Sequence, residues 1–148
     1  MRIFHSLNVS ASGLTSERLR LDLIANNLAN ANTTRTPGGG PYIRQLAVVA
    51  SRSAPIAGSF GEEFDAAQAR LGNGVRVLGV AQDDSPPVLK YEPAHPDANE
   101  EGYVLLPNVN VVTEMVDLIT ATRAYEANVT AINAAKRMLQ AALEIGRG

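Results

Sequence analysis

The chain has no cysteine and no tryptophan. The first absence excludes a disulfide framework, a thiolate metal site and a thiol nucleophile. It leaves the compartment open, because a chain without thiols tolerates an oxidising space as well as a reducing one. Aromatic residues reach only 5%, while hydrophobic residues as a whole make up 45%. Much of that content is Ala, Val and Leu, which suits helix seams and strands better than a deep core. Charge of one sign is not in excess either, the formal net charge being −2. A general nucleic-acid binder would carry a basic face, and a membrane-surface protein a polybasic patch. No run of about 18 apolar residues occurs, so no transmembrane helix is expected. The start, Met1-Arg2-Ile3-Phe4-His5-Ser6, does not lead into the unbroken apolar stretch of a cleavable signal peptide. The expectation is a cytosolic protein, or one exported with its N-terminus intact.

What is present divides into three segments: 1–32, 33–108 and 109–148. All eight prolines fall in the middle one. The acidity sits there too, since the two flanking segments are nearly balanced in charge. From about residue 4 to 31 there is no proline, and Gly13 is the single glycine. Leu7, Leu14, Leu21 and Leu28 recur every seven residues, with Phe4, Ala11 and Ala25 between them and Arg18 interrupting. This is the pattern of a helix that buries a narrow stripe against another helix. Leu19, Leu23 and Ile24 form a second apolar row outside that stripe, as in a helix with more than one neighbour.

The last segment repeats the theme. From about Val109 to Ile145 there is neither proline nor glycine. Val111, Leu118, Tyr125, Ile132 and Leu139 are seven apart, with Met115, Thr122, Val129, Lys136 and Leu143 as companions. A helix of roughly 35 residues is about 50 Å long, far beyond the globular average. Gly146 supplies a C-terminal stop, and Arg147 lies favourably near the helix dipole.

The middle segment reads as short strands over 42–49, 75–80 and 103–106, with turns at 36–41 and 83–87. The Ser/Ala/Gly-rich stretch 51–74 reads as a mobile loop. The fold class expected is α+β: long N- and C-terminal helices pairing as a coiled-coil-like stalk, with a small β-rich middle. Such a middle cannot cover the apolar rows of both helices, so other copies or other subunits must.

Constellations with catalytic or metal-binding meaning are weak. His95, Asp97, Glu100 and Glu101 offer one histidine beside a proline turn, which is not a zinc or calcium pattern. His5 reads as solvated. The pairs Asp83/Asp84 and Glu62/Glu63 are adjacent and diverge, whereas glycosidase chemistry needs convergent carboxylates. Ser12-Gly13 and Gly38-Gly39-Gly40 lack the lysine of a phosphate-binding loop. No enzyme, cofactor, metal or small-molecule substrate is expected. Arg123 and Glu126, three apart, are placed to pair along the helix or across subunits.

The first helix ends Ala25-Asn26-Asn27-Leu28-Ala29-Asn30-Ala31-Asn32-Thr33. Asparagine is a poor helix former. Asn26 and Asn30 share a face with Asn27 beside them, so their amides either bond a neighbouring helix and cap free carbonyls, or merely ease the chain into a loop. Together with Ser12-Gly13-Leu14 and Leu23-Ile24, this stretch resembles the N-terminal motif of flagellar rod and hook proteins. Glu114-Met115-Val116-Asp117-Leu118-Ile119 and Arg123-Ala124-Tyr125-Glu126-Ala127-Asn128 resemble the matching C-terminal motif. Pro41-Tyr42, Pro87, Tyr91, Pro93, His95-Pro96-Asp97-Ala98, Gly102-Tyr103-Val104 and Pro107-Asn108-Val109 are similar to the proximal-rod branch of that family. Ala94 and Asn99 depart from the family pattern, which there favours glycine and an acidic residue, and stretch 51–69 has no counterpart.

The resemblance implies a structural subunit of the basal-body rod, exported uncleaved by the flagellar type III apparatus and crossing the periplasm. It implies partners among other rod subunits, basal-body components and copies of the chain itself, with no nucleic acid and no membrane insertion. The expected subunit interface takes Leu7, Leu14, Leu21 and Leu28 with Asn26, Asn27 and Asn30 from the first helix. From the second it takes Val111, Met115, Leu118, Arg123, Tyr125, Asn128, Val129, Ile132, Leu139 and Leu143. Alternatives are a rod subunit of the FlgB or FlgG type, or, in another class, a helical adaptor or export chaperone. A chaperone has no need of a proline-marked β insert, and a cell-wall hydrolase lacks any acid–base constellation.

Overall fold

The computed structural model describes residues 2–52 and 73–146. The loop expected over 51–74, the Glu62/Glu63 pair and Arg147 therefore lie wholly or largely outside the described residues. The chain is α+β, in the order α1 (Arg2–Ala29), β1 (Gln45–Ser51), β2 (Val75–Gln82), β3 (Val88–Tyr91), β4 (Tyr103–Leu106) and α2 (Val111–Ile145).

Both helices run where proline is missing. The second begins two residues later than expected because Asn110 caps it. The Asn110 Oδ1 accepts from the N–H groups of Val112 (3.0 Å) and Thr113 (3.2 Å), satisfying donors that the first helical turn leaves free. At the other end the Gly146 N–H still reaches the Ala142 carbonyl (3.2 Å). Among the described residues, no helix is long and apolar enough to cross a membrane.

Strand β1 starts three residues later than expected, after Tyr42 and Arg44, whose side chains are used elsewhere. It pairs with β2. Backbone bonds from Arg52 N–H to the Gly74 carbonyl, and from Asp83 N–H to the Arg44 carbonyl (both 2.9 Å), show that the two strands run antiparallel. Strand β3 was not expected. It is short and follows Pro86-Pro87, yet it pairs antiparallel with β4, Leu89 opposite Leu105 and Tyr91 opposite Tyr103. The two tyrosine rings meet edge to face at 5.3 Å. The expected turns are present: Gly39 N–H donates to the Thr36 carbonyl (2.9 Å), and Asp83 Oδ1 accepts from the Ser85 N–H (3.0 Å) and hydroxyl (2.6 Å).

The chain divides into two compact units, each drawing on all three segments. One comprises Met1–Arg18, Val49–Leu78 and Thr122–Gly148, the other Leu19–Val48 and Gly79–Ala121. In the first, Ser12 is buried. Its hydroxyl donates to the Val9 carbonyl (2.7 Å) and accepts from the Val75 N–H (3.1 Å), tying α1 to the start of β2. Gly74 precedes that strand at φ +79, and a Cβ there would collide with the Ser12 hydroxyl. Gly13 faces α2 so closely that a Cβ would lie 3.1 Å from the Asn128 amide.

Buried side chains of the second unit include Leu23, Ile24, Asn27, Val104, Pro107 and Glu114, with Ala121 fully enclosed. Arg20 meets Asp117 at 3.6 Å and Asn27 meets Glu114 at 3.2 Å. As residue numbers rise on α1 they fall on α2, so the helices are antiparallel. The deepest row of α1 is Ser12, Ser16, Leu23 and Asn27, while Leu7, Leu14, Leu21 and Leu28 are half-buried. Small polar side chains let the backbones approach, and the leucines flank that contact.

On α2 the half-buried row Leu118, Tyr125, Ile132 and Leu139 is the one read from the sequence. At three of its companion positions the buried residue lies one earlier than expected, Glu114, Ala121 and Ala135 in place of Met115, Thr122 and Lys136, while Asn128 and the expected Val129 are both half-buried. Apolarity favoured Met115 and Val129, but close helix approach favours alanine.

Candidate functional site

The polar chemistry of the second unit converges on Glu114, in the first turn of α2, with 1% of its surface exposed. A buried carboxylate needs a counter-charge and filled lone pairs. The Arg44 Nε donates to its Oε1 at 2.6 Å, and Arg44 Nη2 lies at the same distance. Asn27 Nδ2 donates to Oε2 at 3.2 Å. Arg44 also lies 3.5 Å from Asp83 and 3.8 Å from Asp117, and Asp117 in turn meets Arg20.

Asn27 is the second buried member, with all four of its amide bonds made. Its Nδ2 also donates to the Gln45 carbonyl (2.9 Å), and its Oδ1 accepts from the Gln45 N–H (2.9 Å) and the Tyr42 hydroxyl (2.9 Å). The side-chain amide thus pairs with the first residue of β1 as a backbone peptide would. Asn26 donates to the Tyr42 oxygen at 3.3 Å. Asn30 turns back on α1, its Nδ2 donating to the Asn26 carbonyl (2.9 Å) and Oδ1 (3.0 Å). Of the two uses expected for these asparagines, capping holds for Asn30. Asn27 bonds the neighbouring helix through Glu114 of α2 and adds two bonds to the start of β1.

Arg44 is itself held by its backbone. Its N–H donates to Asn108 Oδ1 (3.1 Å), and the Asn108 amide donates to the carbonyls of Asp83 and Ser85 (both 3.2 Å). Burial opposes the Arg44 charge, but hydrogen bonding and attraction from Glu114, then from Asp83, outweigh it and raise the guanidinium above its ordinary value. Burial, followed by the Glu114 charge, raises the Tyr42 phenol. Both Glu114 oxygens are engaged, so the carboxylate holds other groups in place.

Elsewhere, a cleft of about 380 Å³ is lined in part by Thr34, Arg35, Asp97, Leu89 and Leu105. Its one carboxylate, Asp97, accepts from the Thr34 hydroxyl (2.8 Å). His95 Nδ1 accepts from the Asp97 N–H (3.1 Å) and shapes a turn, and His5 is exposed. Asn99 Oδ1 accepts from the N–H groups of Glu101 and Tyr103, a task open to an acidic side chain as well.

The residues expected at a subunit interface fall into several environments. Asn27 is buried and Asn26 exposed, while Asn30, Asn128 and Val129 are half-buried like the leucine rows. Val111, Met115, Arg123 and Leu143 are exposed, as is Glu126. Sequence reasoning missed Tyr42, Arg44 and Glu114. One signal was present: Glu114 stands four before Leu118 and seven before Ala121, a seam position holding a charge.

Two outcomes follow for the purified protein. Arg44→Met strands the Glu114 charge at a site 1% exposed, and the expected loss of stability in urea unfolding is about 3–5 kcal/mol. A phenol whose folded pKa is raised contributes stability below its unfolded value of 10.0 that is lost as pH rises through the folded value. The urea midpoint therefore falls above pH 10, and Tyr42→Phe, less stable at neutral pH, shows a flatter alkaline decline.

Comparison with known proteins points one way. The family described as "Flagella basal body rod protein" matches residues 7–35, and "Flagellar basal body rod FlgEFG protein C-terminal" matches 100–145. The chain is 51% identical to the flagellar basal-body rod protein FlgC of Borreliella burgdorferi, with all of both chains covered. It is 48% identical to FlgC of Bacillus subtilis and 36% to that of Escherichia coli O6:H1, in each case over 99% of this chain and 100% of the relative. The proline- and tyrosine-marked middle, the asparagine-rich end of α1 and the motif around Glu114 thus occur in one continuous relationship, and the chain belongs to the FlgC type of flagellar basal-body rod proteins.

Proposed function

We propose that this structural subunit of the proximal rod works by polymerising through its terminal helices, transmitting torque across the periplasm for motility. Segments 1–32 and 109–148 form a coiled-coil-like rod core, and 33–108 faces outward. Copies of the chain, other rod subunits and basal-body components are the partners. Export proceeds through the type III route without cleavage, and nothing in the mechanism needs a nucleic acid, a bilayer or a small-molecule substrate.

The observation that supports this reading best is an apolar row on the free side of α2. Val112, Met115, Val116 and Ile119 are 70, 51, 58 and 55% exposed. Their spacing puts them on one helix face, opposite buried Glu114 and Ala121. A helix apolar on two opposite faces is built for two neighbours. Phe4 on α1 and Met138, Leu143 and Ile145 on α2 are exposed as well. The half-buried leucines of α1 border the intramolecular contact and extend toward the same kind of neighbour.

Val116→Asp and Ile119→Asp separate assembly from folding, because neither side chain supports the interior. The expected result is a stability change within about 0.5 kcal/mol, as for ordinary surface substitutions, with swimming abolished and no rods recovered. Motile cells with normal basal bodies would remove the basis of the reading. Leu21→Asp or Ile132→Asp should also abolish motility, but these half-buried positions report on both properties at once.

A further inference from the structure

The apolar pattern of the two helices leaves one thing undetermined. Leu118, Tyr125, Ile132 and Leu139 recur every seven residues on α2, and Leu7, Leu14, Leu21 and Leu28 do so on α1. Sliding one antiparallel helix along the other by seven residues returns apolar to apolar. The small row of α2 tolerates the slide too, since Ala121 and Ala135 sit seven residues either side of Asn128. Burial of apolar surface therefore does not select a single pairing.

The polar group around Glu114 has no such repeat. In the slide that sets Gly13 against Ala135 the carboxylate meets neither the Arg44 guanidinium nor the Asn27 amide, and an unmatched charge stays buried. In the opposite slide Arg20, seven residues before Asn27, comes opposite Glu114, but Arg44 and Asn27 both lose the partner they have in the observed pairing. Arg44 belongs to neither helix. It stands at the start of β1, with its N–H fixed by Asn108 and its carbonyl by the Asp83 N–H. The Gln45 peptide receives Asn27 of α1 while Arg44 receives Glu114 of α2.

We propose that residues 42–45 of the middle segment are a register clamp, which selects one of several seven-residue pairings that the helices alone leave open. Single buried polar groups set register in helix pairs by this physics. The clamp concerns pairing within one chain, so it stands or falls independently of what the paired helices meet in the rod.

The cysteine-free chain allows a direct test. A Cβ on Gly13 would lie 3.2 Å from the Asn128 side-chain carbon. Three full-length double variants carry Gly13→Cys with Ala121→Cys, Asn128→Cys or Ala135→Cys, and are oxidised in dilute solution. Intramolecular disulfides are scored by mass. With the clamp intact, only the 13–128 pair should close.

The same pairs are then placed in an Arg44→Met/Glu114→Leu background, which replaces the charges by apolar side chains. Helix content by circular dichroism should persist, and closure of 13–121 or 13–135 should rise at least about tenfold, a loss of roughly 1.4 kcal/mol of register preference. Exclusive 13–128 closure in that background would overturn the proposal. Should the background lose its helix signal, Glu114→Gln keeps the side-chain shape and decides the question by the same yields. Slid disulfides there support the clamp, and their absence overturns it.

Discussion

A carboxylate almost wholly removed from water must find its counter-charge inside the protein, and Glu114 constrains the second unit accordingly. Its matching groups arrive from three separate stretches: Arg44 before β1, Asn27 near the end of α1, and Tyr42 acting through Asn27. Removing Arg44 alone is costly because Glu114 remains buried, while the intact pair adds little net stability. Its consequence is geometrical. The start of β1, the end of α1 and the start of α2 are held in one arrangement, and the Asn108 bonds extend it to the turn before β3.

Within each unit the helices meet through small side chains. Ser12, Ser16, Ala121 and Ala135 allow close backbone approach, and Gly13 against Asn128 carries this furthest. Contacts of this kind bury little apolar area per residue, so many large apolar side chains remain outside. In a monomer that is a liability. In the assembly proposed above the same residues are contact surface, a reading that reconciles a modest interior with a chain 45% hydrophobic.

Much of this was legible from residue order. The absence of proline, and of glycine apart from Gly13, placed both helices to within about two residues, and glycines and prolines placed the turns. The seven-residue row Leu118, Tyr125, Ile132 and Leu139, read from the sequence as an interface stripe, is half-buried within the chain. The companion row was displaced by one at three positions because hydrophobicity points to Met115, whereas packing distance selects Ala121 and Ala135. Strand β3 escaped notice because four residues after two prolines carry no alternation of their own, and the β4 backbone defines them. The polar group was half legible. Four asparagines in seven positions marked the end of α1, but nothing local identifies a carboxylate 87 residues away as a partner of Asn27. Long-range polar matching is a property of the folded chain, with only a charge at a seam position to betray it.

The central claim is that Asn27 engages the first peptide of β1 as a strand would, under cover of the Arg44–Glu114 pair. Hydrogen exchange at the Gln45 amide tests it most directly. Bonded to the Asn27 side chain at 2.9 Å, that N–H should be as protected as the amides around Leu23 in α1, and Asn27→Leu should release it selectively. Exchange of the Gln45 N–H at the rate of an open loop in the unaltered protein would contradict the account.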